Sequence, residues 1–121
     1  MNDISTADDI RKMVDEFYEE VKNDNLLGPI FEKVVQGNWD PHLQKMYNFW
    51  ETVLLNVNRY TGSPFQKHIK LDISKPHFDR WLRLFHATID SNFDGAKAEE
   101  AKNRSTQMGI MFEHKLKHIK G

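Results

Sequence analysis

The sequence predicts an all-α fold, and three observations carry that prediction. Apolar residues recur at three- and four-residue steps over long stretches, and no stretch shows sustained period-two alternation. Ser, Thr or Asp precedes these stretches, often followed by a first-turn proline, as at helix starts. Gly and Asn or Asp follow them, as at helix ends. With 121 residues the chain is read as one domain, 1–121. That length buries roughly two thirds of the unfolded surface in a single core.

Ser5 to Asp24 reads as the first amphipathic helix. Ile10, Met13, Val14, Phe17, Tyr18 and Val21 repeat on one face, with charges between them. Ser5 with Asp8 has capping-box spacing at its start. Asn23, Asp24 and Asn25 end it, because their side chains compete for the backbone. Leu26 to Phe31 reads as a turn feeding a short helix, which Gly37 stops. Asp40-Pro41 then reads as a cap and first-position proline opening a helix to about Asn56. Its apolar stripe is Leu43, Met46, Tyr47, Trp50, Val53, Leu54 and Val57, with His42, Met46, Phe49 and Val53 along one edge.

Tyr60 to Ile73 is the central stretch. Ser63 suits an N-cap, Pro64 the first helical position, and Gln66 completes a capping box. His68 stands near the middle of this short helix, flanked by Phe65 and Ile69. A histidine on the apolar side of a well-capped short helix is held in one direction, as a metal ligand must be. The same placement suits a core histidine bonded to a carbonyl. Ser74 and Pro76 open the next helix, with Phe78, Trp81, Leu82, Phe85, Ile89 and Phe93 at helical steps until Asp94-Gly95. The last helix, Ala96 to about Ile119, carries Ala98, Ala101, Ser105, Met108, Phe112, Leu116 and Ile119 on one face. Its small residues permit close helix approach.

Composition excludes several classes. The chain has no cysteine, so disulfides, thiolate zinc sites and iron–sulfur clusters are out. A net charge of −1 gives no footprint for nucleic acid or an anionic membrane surface. Acids lie early in the chain and no apolar run could span a bilayer, so the reading is a soluble, cytoplasmic protein. There is no His-Glu-x-x-His, no Gly-rich phosphate loop and no nucleophile elbow. What remains is His42 and His68 on different helices, each facing apolar and aromatic residues. A flat ligand between them fits, with one histidine on its metal and the other across from it.

The ordered set Phe17-Tyr18, Leu27-Gly28-Pro29-Ile30-Phe31, Trp39 with Pro41-His42, Phe49-Trp50 with Val53-Leu54-Leu55, Tyr60-Thr61-Gly62-Ser63-Pro64, His68, and Phe78 with Trp81-Leu82 resembles the truncated haemoglobins, in particular their third group. The resemblance covers nearly the whole chain. It implies a shortened globin, with two helix pairs sandwiching haem b and a nearly absent first helix. The glycine pairs typical of the first two groups are missing, as the third group's pattern allows.

Carried over residue by residue, the resemblance makes His68 the proximal iron ligand and puts Tyr18, His42 and Trp81 on the distal side. Tyr18 and Trp81 can each donate a hydrogen bond to a diatomic ligand. His42 can swing over the iron as a gate or bind it as a second iron ligand. Phe17, Phe49, Val53, Phe65, Ile69, Ile73 and Phe85 are expected against the haem, by helix face. Lys67 and Arg59 are candidates for a propionate partner or for solvated surface. His77, His86, His114 and His118 read as surface residues.

The expected function is reversible binding of oxygen, and of NO and CO. It would serve nitric oxide oxidation to nitrate or weak peroxidase chemistry, with a separate reductase as electron donor. The alternative is a haem-based gas-binding or sensing module in which His42 takes the iron when no gas is present. A haem-free helical interaction domain is a third possibility. The chain is expected to act as a monomer, without nucleic acid or membrane.

Overall fold

The computed structural model describes residues 1–56 and 74–120, with side chains to 115. All described elements are helices: α1 (Ala7–Asn23), α2 (Gly28–Val35), α3 (Trp39–Leu55), α4 (Lys75–Asn92) and α5 (Ala96–Lys120). The short helix expected around Tyr60 to Ile73 lies outside the described residues, with Arg59, Phe65, Lys67, His68, Ile69 and Ile73.

The capping box of α1 sits one residue later than the Ser5/Asp8 spacing suggests. Thr6 Oγ1 accepts from the Asp9 N–H at 3.2 Å, and the Asp9 carboxylate accepts from the Thr6 N–H at 3.1 Å. Asp9 wins because the same oxygen also accepts from the Ser5 N–H at 2.9 Å. That bond, aided by the one from Thr6 against the cost of burial, holds its carboxyl below the usual range.

The α1–α2 corner is built on Asp24. One carboxylate oxygen accepts from the Leu26 and Leu27 N–H groups at 3.0 and 2.9 Å, and the other from Arg80 on α4 at 2.9 Å. The chain turns so tightly that a Cβ on Gly28 would stand 2.8 Å from the Lys22 carbonyl oxygen. Only glycine leaves that room. α2 ends in two left-handed residues, Gln36 (φ 52°) and Gly37 (φ 78°). Asn38 then caps α3, so Trp39 is already helical and Pro41 falls third in the helix. This corrects the expected start at Asp40-Pro41. Proline is tolerated throughout that turn, where backbone N–H groups have no helical partner.

α1 packs on α2, α3 and α4, and α4 pairs with α5. The core that joins them holds Ile10, Met13, Val14, Phe17 and Val21 of α1 with Trp50, Leu54, Phe85, Ile89 and Ala101. Before α1, Ile4 is also buried and Asp3 acts at a distance. Its oxygens accept from the Lys97 and Ala98 N–H groups at 2.9 Å, capping α5 from the other end of the chain. Gly95, at φ 143°, lies so close that a Cβ would meet the Asp3 side chain. Gly109 lets α5 close on Leu82 of α4.

Two of the histidines expected at the surface have structural roles. His77 Nδ1 accepts from the Ser74 N–H at 3.0 Å and completes the capping box of α4. His86 is half-buried, with Nε2 3.1 Å from the Lys102 carbonyl oxygen on α5. His114 is exposed as expected, and the His118 side chain is outside the described ones.

Candidate functional site

The distal candidates lie where α1, α2, α3 and α4 converge. Tyr18 and His42 meet directly, with ring centroids 4.9 Å apart and planes at 88°. Phe31 of α2 and Trp39 of α3 surround them: Phe31 is 6.2 Å from His42, and Trp39 is 6.0 Å from both His42 and Tyr18. His42 Nε2 is sealed from solvent. Helical geometry explains the gathering. Tyr18 sits on the buried face of α1, and His42 follows Trp39 by three residues on one face of α3.

Trp81 joins the same cluster through Phe17. Its ring is 5.7 Å from Phe17, edge to face, and it stacks on Phe85 at 5.7 Å with only 4° between planes. Phe85 in turn stacks on Trp50 at 5.0 Å, and Phe49 lies edge-on to Trp50 at 5.2 Å. Edge-to-face and offset-stacked rings fix one another's orientation. So Tyr18 and Trp81 are both braced on Phe17.

Burial sorts these residues into two layers. Phe17 and Phe85 are enclosed by protein, at 2% and 1% exposure. His42, Phe49, Val53 and Trp81 are half-buried. Burial also pushes the Tyr18 phenol far up, so its proton stays on and the hydroxyl is a donor across the physiological range. Among the described residues no cluster of three or more His, Asp or Glu side chains could hold a metal ion. His42 brings an imidazole, a metal-capable group, into the cluster.

Residues 2–117 match the bacterial-like globin family. The chain belongs to that family. It is 35% identical over 106 residues to the "Group 3 truncated hemoglobin ctb" of Campylobacter jejuni subsp. jejuni, spanning 84% of this chain and 80% of that protein. The crystal structure of the group III truncated hemoglobin from Campylobacter jejuni superposes with a TM-score of 0.87 at 29% identity, over 96% of this chain and 95% of that one. The resemblance to the truncated haemoglobins and the all-α truncated globin fold are thus shown. The helix pairs α1/α3 and α4/α5 are the two layers of that fold.

Globins bind haem and, through it, diatomic gases. The described residues of this globin fit such a group. Half-buried Phe49, Val53 and Trp81 offer apolar surface, His42 offers an imidazole nitrogen, and Tyr18 and Trp81 offer O–H and N–H groups. No described helix is long and apolar enough to cross a membrane.

Helical periodicity accounts for Tyr18, His42 and Trp81 lying on inward faces. It does not by itself predict the rings of Phe31 and Trp39 around His42, though the interval of three from Trp39 to His42 is an available signal.

Proposed function

We propose that this globin is a haem b protein that reversibly binds oxygen, with His68 as the proximal iron ligand and Tyr18, His42 and Trp81 on the distal side. The observation that carries the reading is the meeting of Tyr18, His42, Phe17 and Trp81 in one aromatic cluster drawn from three helices. Haem, when bound, supplies an iron centre for the diatomic ligand and its redox chemistry. The chain's own residues do the rest. Phe49 and Val53 form the wall of α3, and Phe65, Ile69 and Ile73 the wall of the stretch that carries His68. Phe17 and Phe85 sit one layer behind and hold Tyr18 and Trp81 in place. Tyr18 Oη–H and Trp81 Nε1–H donate to the ligand, and the surrounding rings exclude water. Lys67, with Arg59 as the second choice, pairs with a propionate.

Besides oxygen, it binds other diatomic ligands such as NO and CO. The downstream reaction is oxidation of nitric oxide to nitrate or slow peroxide consumption, with electrons from a separate reductase. His42 serves as a gate. A second reading, a gas sensor in which His42 itself takes the iron, is favoured by one observation: its Nε2 is turned away from solvent into the protein.

Spectra of the purified protein in ferric, ferrous and CO-bound states test the core of this. His68→Ala should abolish the proximal bond and most haem retention, and added imidazole should partly restore the spectrum. Unchanged ferrous and CO spectra in His68→Ala would assign the proximal role elsewhere. A ferric spectrum that stays high-spin supports the gate. A low-spin ferric spectrum that His42→Leu converts to high-spin supports the sensor.

A further inference from the structure

We infer that Trp39 is a positioning residue for His42, clamped in place by Glu32 and Lys22. The inference rests on the proposed distal role of His42 only for its functional consequence. Helical side chains lean toward the helix N-terminus. His42 therefore leans over the turn that carries Trp39, and the two rings stand 6.0 Å apart at 81°. Tyr18 and Phe31 hold two other sides of the imidazole. Of these three rings, Trp39 is the half-buried one, whereas Tyr18 and Phe31 belong to the core. An imidazole swinging outward from the cluster has to displace the indole.

The indole is itself gripped from two other helices. Its Nε1–H donates to Glu32 of α2 at 3.1 Å. Lys22, in the last turn of α1, places Nζ 4.8 Å from the ring centroid. Simple corner packing would require neither contact, since a half-exposed indole N–H can be left to water. Here a carboxylate and an ammonium, both on exposed residues, close on the two polar features of one ring. Glu32 is fixed in turn by the left-handed end of α2, where its carbonyl accepts from the Gln36 N–H at 2.8 Å. The arrangement ties α1, α2 and the start of α3 together at the side chain that screens His42.

Haem-loaded protein is the material for the test, and Glu32→Ala and Lys22→Ala are the principal variants, since both residues are exposed. Two quantities are measured. One is the rate at which diethyl pyrocarbonate modifies His42, followed by peptide mass spectrometry. The other is CO association after flash photolysis. Each variant should raise both about two- to fivefold, the scale of one exposed hydrogen bond or cation–π contact. Glu32→Gln, which keeps an acceptor oxygen, should restore wild-type values. In a His42→Leu background, Glu32→Ala should no longer change CO association. The inference is overturned if His42 modification is unchanged in both variants, or if Glu32→Ala speeds CO association equally with and without His42. If His42→Leu alone leaves CO association untouched while Glu32→Ala still exposes His42, Trp39 holds His42 and the gate reading fails.

Discussion

His42 and His86 are both half-buried histidines on long helices, and their surroundings are opposite in kind. Around His42 stand the rings of Tyr18, Phe31 and Trp39. Around His86 Nε2 stand the Lys102 carbonyl at 3.1 Å, the Thr106 hydroxyl at 3.1 Å and the Ser105 hydroxyl at 3.3 Å. A carbonyl at that distance requires the proton on Nε2, so His86 donates and its tautomer is set by the fold. Ser105, fully buried, and Thr106 also donate to the same carbonyl at 2.9 Å. The α4–α5 seam thus spends its polar groups on one another, while the distal cluster holds its polar groups among rings. The first pattern fixes helices. The second sets polar tips among aromatic rings.

The largest expected effect separates the two regions by ligand. Oxygen in such a pocket carries partial negative charge, and carbon monoxide carries far less. Fixed donors in dry surroundings therefore favour oxygen selectively. A hydrogen bond to a charged group contributes on the order of 1.5–3 kcal/mol, and each 1.4 kcal/mol is about tenfold in rate. Tyr18→Phe, and separately Trp81→Phe, should speed oxygen dissociation about ten- to a hundredfold by stopped-flow. Carbon monoxide dissociation should change much less. In the proposed function the two donors share one ligand, so the double variant should be non-additive. Equal changes for both gases would make these side chains steric. Slower oxygen loss in Tyr18→Phe would mean that the phenol donates to Trp81 or His42 in the wild type.

His86→Ala should do the converse. It removes one interhelical hydrogen bond and part of a ring, for about 1–2 kcal/mol of stability. Urea unfolding should show a lower midpoint at unchanged slope. Oxygen and CO kinetics should be those of the wild type. If His86→Ala alters ligand kinetics as strongly as Tyr18→Phe, the two regions are coupled and the contrast between them does not hold.

The contrast between the two histidines was only half legible in the sequence. Helical periodicity found the buried faces of α1, α3 and α4, because 3.6-residue repetition is a local property. It therefore put Tyr18, His42 and Trp81 on inward helix faces, and their distal role is what the resemblance implies. His86 looked like surface because its partners lie 16 to 20 residues further on, and no local pattern reports a partner on another helix. Asp3 escaped for the same reason, since it caps a helix 94 residues away. Boundaries failed on competition between equals. Ser5 and Thr6 are both good caps, and only the position of the Asp9 carboxylate decides between them. His68, which the resemblance makes the iron ligand, lies outside the described residues.

The smallest expected effect tests the seam at its far end. Burial pushes the Asp3 carboxyl up, but the N–H groups of Lys97, Ala98 and Ile4, aided by the Lys97 charge, outweigh it and hold the group below the usual range. A depressed folded-state value means that the ionised form is favoured by folding. Its contribution is therefore complete above the unfolded value, near about 3.9, and is lost as pH falls through the lower folded value. Asp3→Asn keeps one acceptor oxygen and loses the charge at the start of α5. At neutral pH it should cost about 0.5–1 kcal/mol, in the range of helix-cap substitutions. As pH falls through the lower folded value the two proteins should converge, because the wild-type carboxyl is itself becoming protonated. Ligand kinetics should not change at any pH. A difference in stability that persists undiminished at low pH would show that Asp3 acts through packing against Gly95 and not through its charge.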